Sequence, residues 1–196
     1  MLQAIRNLGL AAVVVAALVA AAGSTARAAD TFSVDPVHSS VSFMISHGGI
    51  SYIHGRFNDF SGKFVIDGTD PAKSSFALSV KIESVDTNNQ KRDEHLRAPD
   101  YFNAKQFPTL SFQSTQVKAV SGGYEVTGDL TLHGITKPVT LKLKGGDQVA
   151  EFPKGTQRIG FMTAPIIKRS DFDVKAGLPA IGDEVYVNIA VEAVKD

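Results

Sequence analysis

The densest group of residues able to do chemistry is Arg92, Asp93, His95 and Arg97, four polar side chains within six positions. Such a set can pair internally, or it can present planar guanidinium donors to an oxygen anion. Asp93 and Arg97 lie four apart, the spacing of an ion pair on a helix surface. The histidines are more scattered. His38 follows a proline turn and suits a structural hydrogen bond, and His133 stands before Gly134 as a turn residue. His47 and His54 flank Gly48-Gly49 as a conceivable two-histidine metal half-site, but no further ligand stands at good spacing, so no metal is expected. The sequence has no cysteine, which removes thiol nucleophiles, thiolate ligands and a lipid-modified N-terminal cysteine. It contains no G-x-S-x-G elbow, no H-E-x-x-H and no P-loop. A hydrolase would therefore need a Ser-His-Asp geometry that spacing alone does not reveal.

These residues sit in a chain that alternates. Val41, Phe43 and Ile45 oppose Ser40, Ser42, Met44 and Ser46; Leu110 and Phe112 oppose Ser111 and Gln113. The same period runs through 76–83, 124–132, 139–144 and 185–192, and Tyr52–Ile66 and Gln157–Thr163 complete about eight strands. One apolar and one wet face per strand is the antiparallel pattern. Glycine-rich turns are expected at Gly48-Gly49, Asp67-Gly68, Ser121-Gly122-Gly123, Gly145-Gly146-Asp147 and Pro153-Lys154-Gly155. Within Tyr52–Ile66 the phase changes between Phe57 and Phe60, which predicts a bulge near Asn58-Asp59. Bends of this kind, with Gly55 and Gly62, suit a closing barrel. The interval Ser84–Pro108 is too long for a bare loop, so one short helix is expected at about Asn89–Arg97, capped by Asn88 or Asn89 and halted before Pro99. It follows the third strand.

The N-terminus reads as an export signal. Arg6 precedes an apolar run from Leu8 to Ala22, then Ala26-Arg27-Ala28. The run is shorter than the roughly 20 apolar residues that span a bilayer. Cleavage between Ala28 and Ala29 divides the chain into a signal peptide, 1–28, and one domain, 29–196, in the periplasm without a stable membrane anchor. The 20 basic residues fall to 18 once Arg6 and Arg27 leave, against 20 acidic ones. A near-neutral domain without a basic stripe excludes nucleic acid as a partner. A homodimer through a strand edge or barrel face is compatible with this composition.

Three blocks of residues then carry a resemblance. Asp35-Pro36-Val37-His38-Ser39-Ser40 with Gly55-Arg56-Phe57-Asn58-Asp59-Phe60, Arg92-Asp93-Glu94-His95-Leu96-Arg97 with Asp100-Tyr101-Phe102, and Gly128-Asp129-Leu130-Thr131-Leu132-His133-Gly134 stand in order. Arg169-Ser170-Asp171-Phe172 and Gly182-Asp183-Glu184-Val185 close the series. The sequence resembles the YceI-like family over nearly the whole domain, departing at Asp173, where glycine is expected, and at Tyr101, where phenylalanine is commoner. The resemblance implies an all-β, eight-stranded antiparallel, lipocalin-like barrel that binds polyisoprenoids, isoprenoid quinones or similar lipids in the periplasm. It implies no catalytic residue and no cofactor beyond such a ligand.

An eight-stranded barrel either fills its interior or holds one small ligand, and alternation looks the same in both. Burying about ten CH₂ equivalents yields roughly 8 kcal/mol, against an association cost of about 4–15 kcal/mol, so a bound molecule needs a long tail and a preformed pocket. Under the ligand-binding reading Phe43, Phe112, Leu130 and Leu141 face the interior, and Tyr101, Phe102 and Phe107 line the tail or fill core. Arg92, Asp93, His95 and Arg97 then either pair on a helix that plugs one end or form a polar mouth for a headgroup. The alternatives are a hydrolase of hydrophobic esters and a ligand-free structural or stress-response barrel.

Overall fold

A computed structural model describes residues 29–196, so the expected signal peptide lies outside the described residues. The strands are β1 Asp30–Val34, β2 Ser40–His47, β3 Ser51–Phe57, β4 Phe60–Ile66, β5 Ser75–Lys81, β6 Val85–Asp86, β7 Thr109–Val120, β8 Gly123–Leu132, β9 Ile135–Glu151, β10 Gln157–Thr163, β11 Ile166–Lys168 and β12 Ile181–Lys195. Every ladder is antiparallel, and the order β1-β4-β5-β7-β8-β9-β10-β12 is closed by pairing of β1 with β12. The result is an eight-stranded barrel. The remaining segments continue these strands beyond bends. β12 pairs with β1 at Ala193–Lys195 and with β2 from Ala190 back to Ile181.

Each bend has a local cause. Between β1 and β2, Pro36 opens a 3-10 turn and the Asp35 carboxylate accepts from Val37 N. Between β3 and β4 the break falls at Asn58-Asp59, where the phase shift predicted it. Between β10 and β11, Pro165 lacks an N–H but its carbonyl accepts from Val187 N. The strand Asp30–Val34 escapes the alternation described above, although Phe32 and Val34 are buried on one face.

Gly145-Gly146-Asp147 is not a turn. It lies inside the 17-residue β9, where the register against β10 shifts between Ile159 and Phe161. Both glycines hold positive φ, and a Cβ on Gly146 would overlap the Phe161 ring. Adjacent glycines allow either a hairpin or a bulge, and here the packed ring selects the bulge.

The barrel is filled at this end. Phe64, Phe76, Phe161 and Tyr124 pack with ring centroids 5.3–6.1 Å apart. At the other end helix α1, Gln90–Arg97, follows β5 and the two-residue β6. The Asn89 side chain caps it by accepting from Arg92 N, and it stops at Ala98 before Pro99.

Candidate functional site

Above the aromatic floor the barrel is hollow. A cavity of about 630 Å³ lies within the range of small-molecule sites, roughly 300–1,000 Å³. Phe43 from β2, Phe112 from β7, Leu130 from β8 and Leu141 from β9 all line it. The floor rings of Phe64, Phe76 and Phe161 are 5% exposed or less, whereas the inward-facing Phe43, Leu141 and Ile189 are only half-buried. Their uncovered surface faces the cavity rather than a packing partner. Gly55, opposite Phe43 on β3, leaves room for its ring.

Helix α1 and the turn after it bound the cavity with Lys91, Arg92, His95, Leu96, Tyr101 and Phe102. Phe102 packs on Phe57 at 6.0 Å, and Tyr101 meets the His95 ring edge-on at 4.8 Å. Arg92 donates from Nε to Thr87 Oγ1 and from Nη2 to the Thr87 carbonyl, both at 2.7 Å. His95 Nε2 lies 2.8 Å from Asp100 Oδ2.

Asp93 and Arg97 do not pair with each other. Asp93 is buried and accepts from Thr87 N at 2.9 Å and Thr87 Oγ1 at 2.5 Å. A buried carboxylate needs donors close at hand, and Thr87 supplies two. Arg97 turns to the carbonyls of Glu83 and Val85 and to the Glu83 carboxylate at 3.6 Å. Neither residue lines the cavity: together they lock α1 to the segment after β5. Phe107 is also outside it, packed against His133 at 4.8 Å.

Arg169 also contributes to the cavity wall. It is 5% exposed, and Nε, Nη1 and Nη2 donate to the carbonyls of Gly182, Val174, Ala176 and Ile181 at 2.8–3.0 Å. Burial pushes its pKa down from the ordinary arginine value, with Tyr101 and Asp183 opposing the shift. The four bonds fasten the loop 174–182 across the mouth. Asp183 itself accepts from Ser170 N and Oγ, and the Ser170 backbone bond holds its carboxyl below the usual range.

His47 and His54 are on opposite faces of the β2–β3 ladder, so they share no metal. His47 is in phase with Phe43 and Ile45 and borders the cavity, whereas His54 opposes Met44 on the outer face. His133 and Gly134 hold φ of 53° and 73° in the two-residue turn joining β8 to β9. Asp35, His38 and Glu192 bring ligand atoms within 4.8 Å of one another outside the cavity. Arg158 Nη1 already bonds both carboxylates there, so a guanidinium supplies the positive charge a metal would bring.

The YceI-like domain profile matches residues 32–193. The chain belongs to the YceI-like family. Protein YceI of Escherichia coli is 40% identical over 180 residues, covering 92% of this chain and 94% of that protein. A UPF0312 protein of Pseudomonas aeruginosa is 38% identical over 95% of this chain and 97% of its own length. Among solved structures, Burkholderia cenocepacia BcnA superposes with a TM-score of 0.72 at 26% identity, covering 81% of this chain and 98% of BcnA. The Campylobacter jejuni YceI protein gives 0.68 at 33% identity, over 75% and 87% respectively. A Saccharophagus degradans domain described as polyisoprenoid-binding shares the fold, with a TM-score of 0.64 at 20% identity over 84% of this chain and 98% of that domain.

Two charged residues of this YceI-like cavity carry no role in the sequence reading. Lys91 precedes Arg92 on the same short helix, and that adjacency was the available signal. Arg169 stands in a recognised block, but its position against the mouth depends on the long-range course of β11 and β12.

Proposed function

We propose that this YceI-like protein is an exported periplasmic carrier that holds a long apolar amphiphile, a polyisoprenoid or isoprenoid quinone, inside the barrel. The observation that carries this reading is the preformed apolar cavity of about 630 Å³ above a filled floor. A preformed wall spares the ligand the cost of opening a core, so tail burial at about 0.8 kcal/mol per CH₂ can exceed the association cost. The polyisoprenoid-binding description of the Saccharophagus degradans domain points the same way. Phe43, Phe112, Leu130, Leu141, Tyr101 and Phe102 would contact the tail, with Arg92 and His95 at its polar end. Among the described residues no serine or threonine hydroxyl bonds an imidazole, and this favours carriage over ester hydrolysis.

Export rests on the leader pattern over 1–28, and no described helix is long and apolar enough to cross a membrane. Cell fractionation with N-terminal sequencing should find a form beginning near Ala29 in the periplasm. For the ligand, protein purified from its native host is extracted and analysed by mass spectrometry, then titrated with a labelled polyprenyl compound. A stoichiometric isoprenoid in the extract supports carriage. An empty extract together with no binding of any isoprenoid or quinone rejects it, and turnover of a hydrophobic ester would favour the hydrolase.

A further inference from the structure

Among the described residues, those that line the cavity carry charge of only one sign. Lys91, Arg92 and Arg169 line it, His47 and His95 border it, and no described aspartate or glutamate contributes to it. The neighbouring carboxylates are turned to other partners: Asp93 to Thr87, Asp100 to His95 and Asp183 to Ser170.

The three cations differ in what they have left to offer. Arg169 has spent four of its five N–H donors on carbonyls of the loop across the mouth, so it acts as a clamp. Arg92, which lines the cavity, uses Nε and Nη2 on Thr87, and among the described residues it meets no carboxylate and its Nη1 has no partner. Lys91 has no ion pair among the described residues. Both stand in the first turn of α1, where the helix dipole disfavours positive charge. Two unpaired cations against the local preference of their helix, beside an apolar wall, form an incomplete charge arrangement that a ligand can complete.

We propose that the cargo is an acidic amphiphile, whose carboxylate or phosphate oxygens are taken by Lys91 and Arg92 while its tail fills the cavity. This rests on the carrier reading and narrows it, since neutral quinones and alcohols cannot supply the charge. Burial of the tail gives most of the affinity, and the cations select the head.

The test uses purified, lipid-stripped protein and displacement of a fluorescent apolar probe. Matched pairs are compared: a polyprenyl monophosphate against the polyprenol of equal length, and a long-chain fatty acid against its alcohol. Inorganic phosphate forms a separate arm. At low salt the acidic member of each pair is expected to displace the probe roughly tenfold or more tightly, as a charge-assisted contact allows. In Lys91→Gln/Arg92→Gln most of that advantage disappears, read as the ratio of acid to alcohol affinity within the same variant. Lys91→Gln alone, at an exposed position that supports no other contact, reduces it in part, and Arg92→Lys retains it. Equal binding of acid and alcohol by the native protein overturns the proposal and leaves the carrier reading standing. So does an equal loss of both in the variants, or displacement by inorganic phosphate alone. Failure of every tailed compound instead removes the carrier reading itself.

Discussion

The Phe43 ring lies over Gly55, its partner across the β2–β3 ladder, so closely that a Cβ on Gly55 would overlap ring atoms. The glycine is required by space, since its φ is not in the left-handed region. Phe43 is half-buried and has the cavity beside it, so the ring can turn inward when displaced. Gly55→Val should therefore cost only about 1 kcal/mol, the low end for overpacking, while sharply weakening binding of a polyprenyl probe. Thermal melting and probe titration on the same variant check this. A large stability loss with undiminished binding would show that the ring has nowhere to go.

The seam between β1, β10 and β12 gives a prediction about acid. His38 Nδ1 and Arg158 Nη1 both lie 2.8 Å from Asp35 Oδ2, and Arg158 also bonds Glu192. The bond to His38, then that to Arg158, holds the Asp35 carboxyl well below the usual carboxylate range. A carboxyl whose pKa is lower in the folded chain adds stability that is fully present above its unfolded value, near pH 4. That contribution is lost as pH falls toward the folded value. Arg158→Gln should lower the melting temperature at neutral pH and make the further fall between about pH 4 and 2.5 shallower than in the native protein. Parallel melting curves with the same acid slope would remove this pair from the account.

Much of this architecture was legible because its causes are local. Alternation through 124–132 and 139–144, the phase break between Phe57 and Phe60, and the Asn89 cap are each written in a few adjacent residues, and each is found in the barrel. What was not legible depends on residues far apart in sequence. Gly145-Gly146 reads as a turn until Phe161 is packed against it, and Asp93 reads as a surface partner for Arg97 until Thr87 folds back over it. The cavity itself is invisible to periodicity. Phe161 and Leu141 follow the same inward pattern, yet one is buried in the floor and the other faces open space.

Asp173, where the family pattern expects glycine, occupies φ 61°, ψ 14° after the 3-10 turn Arg169–Phe172. Aspartate visits this region more readily than most residues, and its carboxylate is 2.7 Å from Lys175 in an exposed pair. Asp173→Gly removes a weak surface pair but relieves the left-handed conformation, so denaturant midpoints should stay the same or rise slightly. A β-branched residue has neither compensation. Asp173→Val should cost roughly 1–2 kcal/mol, and equal midpoints for the two variants would contradict the conformational account.

The last prediction separates a hollow barrel from a filled one. Leu130 and Leu141 face inward from adjacent strands and both line the cavity, but Leu130 is 9% exposed whereas Leu141 is half-buried. Leu130 sits opposite Phe112 across the β7–β8 ladder, and both side chains are buried. Leu130→Trp must push packed neighbours aside, at about 1–3 kcal/mol, or several degrees of melting temperature in a domain of this size. Leu141→Trp extends into space that holds no side chain, so its melting temperature should remain near that of the native protein. Binding of a labelled polyprenyl compound should fall in both variants, because each indole takes up volume that the tail requires. The decisive comparison is between the two melting temperatures. If Leu141→Trp is destabilised as much as Leu130→Trp, the space beside Leu141 is not available to a ligand, and the carrier reading loses its structural support.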